Sequence, residues 1–163
     1  MRKYFDWIFL LIWLTIPALA FSDYYFNGPK AVEVQRHLEN EFQSIASMPN
    51  TTPYGYSATH GIRKSLVGMG YATDSSFLEI RKFYNDALIK RGWKFVSENK
   101  QYDWGRDFGG KRLEYCKSSY VASIIYHGSD RDSYGVDFNF YLSWGLQPIF
   151  GDETKLICKP TSI

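Results

Sequence analysis

The stretch SFLEIRKFYNDALIKRGWKFV, Ser76–Val96, holds the start, body and end of a helix and the beginning of a strand. Ser76 followed three residues later by Glu79 is a capping box: the hydroxyl can accept from the Glu79 amide while the carboxylate reaches back to the Ser76 amide. Phe77, Ile80, Tyr84, Ala87 and Leu88 recur at steps of three and four, which places them on one face of a helix as core residues. Lys90 and Arg91 fall in the last turn, where cations complement the carbonyl end of the dipole. Gly92 supplies the left-handed residue that ends a helix. The spacing predicts a helix over Phe77–Arg91, about 22 Å long at about 1.5 Å per residue. Trp93 and Phe95 then alternate as in a strand. Phe83 and Ile89 stand off the main stripe, so the apolar face is wide or one of them faces a partner.

Upstream, Met1-Arg2-Lys3, the apolar run Ile8–Leu19 and Ala18-Leu19-Ala20 are the three parts of a secretory signal. Residues 1–20 are therefore expected to be a signal peptide and 21–163 a single α+β domain. An uncleaved anchor is the alternative, but the run Trp7–Phe21 is shorter than the roughly 20 residues needed to span a bilayer, which favours cleavage. Either way the body is exported: periplasmic or secreted, or held at the inner membrane facing the periplasm. Membrane contact is expected only through that N-terminal segment.

A further helix is predicted over Lys30–Ile45, with Val32, Leu38, Phe42 and Ile45 near helical spacing. Pro49 and Pro53 frame a polar linker that cannot continue it. Strands are expected at Tyr54–His60 and Lys64–Thr73. In the latter, Val67, Met69 and Tyr71 share one face, and Gly68 and Gly70 lie on the other, where a helix or ring can approach closely.

Downstream, strands are expected at Trp93–Ser97, Arg112–Lys117, Tyr120–His127 and Val136–Trp144, with a short edge strand at Lys155–Lys159. The segment ENKQYDWGRDFGG, 98–110, reads as a long loop turning at Gly109-Gly110, and GSDRDSYG, 128–135, as a polar turn. Val136, Phe138, Phe140, Leu142 and Trp144 alternate with Asp137, Asn139, Tyr141 and Ser143, which predicts one buried and one wet face. The expected architecture is α+β: a single twisted antiparallel sheet of about 5–6 strands with two helices packed on one face, in the order α-β-β-α-β-β-β and a further terminal β.

Tyr, Phe and Trp make up 18% of the chain, a composition that suits pleated, half-buried strands and also interface anchors. The net charge of +2, without a basic stripe, argues against nucleic-acid binding. Cys116 and Cys158 are the only cysteines, and an even count in an exported chain predicts a disulfide. His37, His60 and His127 lack ligand spacing, and Asp130-Arg131-Asp132 lacks the rest of a calcium loop, so no metal is expected. No nucleophile elbow, zinc helix or phosphate loop is present, so neither catalytic residues nor a cofactor are assigned.

Tyr71-Ala72-Thr73, Phe83-Tyr84, Leu88 and Gly92-Trp93 form a "Y-x-T … FY…L…GW" strand–helix–strand pattern. With it, residues 45–127 resemble small exported bacterial envelope proteins of unknown function. The resemblance implies the architecture and a bacterial envelope setting, and it brings no catalytic residues.

The function expected is that of a non-enzymatic protein-interaction module of the cell envelope, with an immunity protein against a periplasm-acting toxin as its concrete form. A small-ligand binding protein with an aromatic pocket, or a hydrolase without a recognisable motif, are the alternatives. Tyr102, Trp104 and Phe108, in the long loop, are the candidate contacts for a protein partner; as plugs over the sheet edge they would instead serve stability.

Overall fold

The computed structural model of the chain describes residue 25, residues 28–103 and 105–145, and residue 158. Six strands form one open antiparallel sheet: β1 Thr52–His60, β2 Lys64–Ala72, β3 Lys94–Asp103, β4 Arg106–Lys117, β5 Tyr120–Tyr126 and β6 Phe138–Gly145. They lie side by side in the order β1-β2-β6-β5-β4-β3. Helix α1 covers residues 28–44, and α2 spans Phe77–Ile89. After β2, α2 carries the chain over the sheet to β3 at the far edge. Strands β3 to β6 then return one by one until β6 closes against β2. The α+β class and the broad order of elements agree with the sequence. The expected signal segment lies outside the described residues, as does Lys155–Lys159 apart from Cys158.

Helix α2 starts where its cap dictates. Ser76 N donates to Glu79 Oε2 at 2.8 Å, and Glu79 N donates to Ser76 Oγ at 3.4 Å. It ends at Ile89, two residues earlier than the sequence predicts. Gly92, at φ +82°, closes it with a Schellman pair: Gly92 N to Ile89 O, and Trp93 N to Leu88 O. Lys90 and Arg91 therefore lie beyond its last turn. Arg91 instead donates to the Ser44 carbonyl and hydroxyl at the end of α1, so its charge complements the dipole of the neighbouring helix.

Both helices pack on one face of the sheet. Ile80, Tyr84 and Leu88 of α2 are fully buried, and α1 contributes Ala31, Val34, Leu38 and Phe42. Val32, expected on that stripe, is exposed: it lies six residues before Leu38, about 120° round the helix, whereas steps of three and four keep Ala31 and Val34 aligned with Leu38. Opposite them the sheet presents Val67 and Tyr71, Phe138, Phe140 and Leu142, Ala122 and Ile124, and Leu113 and Tyr115. Glu41 pins α1 to the sheet, accepting from Lys117 Nζ at 2.8 Å and Trp93 Nε1 at 3.1 Å. Burial alone would raise its pKa, but these donors outweigh burial and lower it.

Three sequence expectations are corrected. First, residues 98–110 are not a loop. Strand β3 runs to Asp103 and β4 resumes at Arg106, with Gly105 turning at φ +80°. The Gly109-Gly110 pair lies in a register shift opposite Gln101/Tyr102, where Asp107 accepts from Gly109 N at 2.9 Å. Second, the polar turn is helical: a 3-10 turn, Gly128–Asp130, runs into a four-residue α3, Arg131–Tyr134, ended by Gly135 at φ +69°. Third, the face of β6 expected to be wet is half-buried at Asp137, Asn139 and Tyr141, and it continues into the face of β4 and β5 away from the helices. Arg112, Glu114, Val121, Ser123 and Ser143 are all buried there. Tyr141 lies against Gly68, which leaves no room for a Cβ, and Cys158 is fixed on that face by its bond to Cys116, Cα atoms 5.7 Å apart. The polar residues keep partners: Arg112 Nε lies 3.1 Å from Glu114 Oε1, and Ser97 Oγ donates to Glu114 Oε2 at 2.9 Å.

Candidate binding site at the β1 edge

Among the described residues β1 and β3 are the two edge strands of the sheet, and their chemistry differs. Strand β3 carries Lys94, Glu98 and Lys100, with ion pairs Arg81–Glu98 at 2.8 Å and Lys100–Asp107 at 2.9 Å. Charges of this kind guard an edge against another strand. Strand β1, TPYGYSATH, has no Lys, Arg, Asp or Glu, and most of it is exposed. Its first half is interrupted by Pro53 and by a register shift between Tyr54 and Ser57, where Gly55 adopts φ +61°. Its second half, Ser57–His60, pairs with Gly68–Ser65 without interruption.

The bulge has a consequence for Tyr56. In unbroken register it would oppose Gly68 on the far face. The extra residue moves it to the helix side instead, where its ring meets Phe42 edge-on at 6.0 Å. There it borders a cavity of about 390 Å³. The end of α1 forms one wall through Phe42, Ile45 and Ser47; Pro53 and Tyr56 of β1 form the rim; Met69, Tyr71, Tyr84 and Phe140 line the interior. Stacking fixes the rings: Phe42 on Phe140 at 5.2 Å, Tyr71 on Phe138 at 5.0 Å, and Tyr84 tilted over Phe140 at 4.8 Å. At the other end of β1, His60 and Gln35 hydrogen-bond, and Gln35 Nε2 donates to Glu39 at 2.8 Å, tying strand to helix.

The cavity is lined mostly by apolar groups, with the hydroxyl-bearing residues Ser47, Tyr56, Tyr71 and Tyr84 and the amide of Gln43 among them. Tyr84 is fully buried and its Oη has no hydrogen-bond partner. Tyr71 Oη is close enough for each hydroxyl to affect the other's ionisation. Burial drives the Tyr84 pKa far up, and the neighbouring Tyr71 adds to the rise. Tyr71 is raised by burial too, against the opposing influence of Ser47 and Tyr84. Both phenols stay neutral, so the site offers hydrogen bonds without charge.

The residues predicted as partner contacts lie elsewhere. Tyr102 is exposed on β3, at the opposite edge of the sheet, while Phe108 is buried, its ring over Gly110. Trp104 lies outside the described residues. Cys116 and Cys158 are paired as expected, which fits an oxidising compartment. His127 is buried, its pKa lowered by desolvation; Asn139 holds Nε2 at 2.6 Å and Tyr134 stacks on its ring at 4.1 Å. Both ring face and ring nitrogen are thus engaged in packing α3 to the sheet. No group of three or more His, Cys, Asp or Glu able to hold a metal occurs among the described residues. No helix among them is long and apolar enough to cross a membrane.

Sequence reasoning assigned Tyr71 and Tyr84 to the core and missed the cavity. The available signal was tyrosine, rather than phenylalanine, at two deeply apolar positions, beside an uncharged segment broken by Gly55. No protein-family model matches the chain, and no curated protein or solved structure matches it.

Proposed function

We propose that the protein is a non-enzymatic interaction module of the bacterial cell envelope that takes an extended segment of a protein partner along β1. The single observation that carries this reading is an uncharged, exposed edge strand placed beside an aromatic cavity. Edge pairing supplies main-chain hydrogen bonds of low sequence specificity, and a neighbouring pocket supplies selectivity for one side chain. Pairing would run along Ser57–His60, and the partner chain continuing past the bulge would place a side chain over the rim at Tyr56. The Cys116–Cys158 pair supports an exported setting, periplasmic or secreted. An immunity protein against a toxin acting in the periplasm is the concrete form proposed.

Free small-ligand binding is the second reading, favoured by the cavity itself, whose volume lies in the range of roughly 300–1,000 Å³ usual for such sites. Affinity purification from envelope extract separates the two. The edge reading expects one stoichiometric protein partner with the wild-type chain and its loss with the double variant Ser57→Lys/Thr59→Lys, because charges on an edge oppose strand addition. A partnerless wild-type protein, or a variant that keeps its partner, would overturn it.

A further inference from the structure

Building on the reading of the β1 edge and its cavity as a receptor for an extended segment, we infer that the partner side chain placed over the rim is cationic, its charge held by the Glu39 carboxylate and its alkyl stem laid over the rings of Phe42 and Tyr56. Glu39 stands one turn before Phe42 and Gln43 on α1, so its side chain neighbours theirs at the cavity mouth. A chain of hydrogen bonds aims it: His60 Nδ1 donates to Gln35 Oε1, and Gln35 Nε2 donates to Glu39 Oε1 at 2.8 Å. That fixes one carboxylate oxygen, and a carboxylate has about four acceptor positions, so others stay open. No Lys, Arg or His pairs with Glu39 among the described residues. Its charge is felt at the rim, where burial raises the Tyr56 pKa and Glu39 adds to the rise.

The rings beside Glu39 suit the same guest. Tyr56 is 49% exposed and meets Phe42 edge-on, and a cation gains from lying against such a ring. Long basic side chains lay an apolar stem on apolar surface and keep the charge at its border, which matches a mostly apolar cavity with a carboxylate at its mouth. An acidic guest would meet Glu39 as a like charge, and a wholly apolar one would cover that carboxylate without pairing it. The chain's net charge of +2 gives cations no general attraction, so the preference is local to Glu39.

The test titrates butylguanidinium and butylurea, a cation and a neutral group of the same shape, into the protein with the Met69 methyl NMR resonance as reporter. Met69 lines the cavity, and Met48, buried but outside it, serves as the internal control. The expected result is a saturable shift of Met69 with butylguanidinium binding about fivefold tighter than butylurea, the scale of one half-exposed ion pair. That margin should shrink in high salt. Glu39→Gln should bring the two probes to near-equal affinity. Glu33→Gln, which removes the same charge from α1 nearer its start, should leave the preference intact. Equal binding to the wild type, a preference that survives Glu39→Gln or is lost in Glu33→Gln, or no response of Met69 would each overturn the inference. Cation preference without partner capture would refute the edge reading alone, and capture without cation preference would refute this inference alone.

Discussion

Replacing Tyr84 by Phe should make the protein more stable. The substitution deletes one oxygen and keeps the ring, whose packing against Phe83, Phe138 and Phe140, at centroid distances of 5.2, 5.8 and 4.8 Å, does not depend on the hydroxyl. In the wild type that oxygen is buried and without a hydrogen-bond partner, a condition that costs about 1–3 kcal/mol. Removing it should raise the unfolding free energy by about 1 kcal/mol or more. In urea, with a slope of about 1–3 kcal/mol per M for small proteins, the midpoint should move up by roughly half a molar unit. For a chain of this size, Tm should rise by about 2–4 °C. Denaturant unfolding of the two proteins by circular dichroism, analysed with a common slope, measures the difference directly. A loss of stability would show that the hydroxyl is satisfied in solution, by Tyr71 or by water, and would remove the physical basis of this prediction.

Other outcomes follow from the same structure. Cys158→Ser opens a loop closed across a sequence separation of 42 and should lower stability by about 4 kcal/mol, read as a fall in the denaturation midpoint that reducing agent reproduces in the wild type. Gly68→Ala places a Cβ against the Tyr141 ring and 2.9 Å from the Phe140 carbonyl oxygen; the resulting overpacking should cost about 1–3 kcal/mol by the same assay. His127 has a folded pKa below its ordinary 6.5 because of burial, with Asp137 opposing. The unfolded chain therefore binds a proton the native state refuses, so this contribution is complete above about pH 6.5 and declines as pH falls below it. His127→Gln should flatten that limb of the stability–pH curve, and an unchanged slope would assign the acid response to other groups. Tyr115, pushed up to about 12 by burial, should lower stability as pH climbs from about 10 to 12, an effect absent in Tyr115→Phe.

What could be read from sequence was what local physics decides. The capping box at Ser76 and Glu79 and the stop at Gly92 involve residues within a few positions of each other, so helix α2 was legible in type and start. Its end lies earlier than the spacing predicts because the bonds from Gly92 and Trp93 close it on Ile89 and Leu88, and Arg91 turns to α1 in a contact made across 47 positions in the chain. The β3–β4 hairpin reads as a loop in the sequence because its alternating charges face solvent, and exposed strands lack the apolar alternation that marks half-buried ones. Polar alternation likewise made the outer face of β6 read as wet, whereas Ser143 is buried there and Asp137, Asn139 and Tyr141 are half-buried beside the buried Arg112–Glu114 pair of β4. The cysteine pairing was legible because only one pairing exists. The cavity was not, since it arises where the end of α1 meets a bulge in β1, and neither the bulge nor the meeting leaves a periodic trace. Aromatic richness pointed correctly to a β-rich core, but it could not show that exposed Tyr54 and Tyr56 gather at one edge while Tyr102 lies at the other.

The central claim, that β1 is the docking edge, is tested most directly by amide hydrogen exchange on the free protein and on the affinity-purified complex. The account predicts that the Ser57–His60 amides exchange readily in the free protein and become protected in the complex, together with slowed exchange around Ala46 and Ser47 at the cavity wall. Protection confined to β3, to the Tyr102 hairpin or to α3, with β1 unchanged, would contradict it.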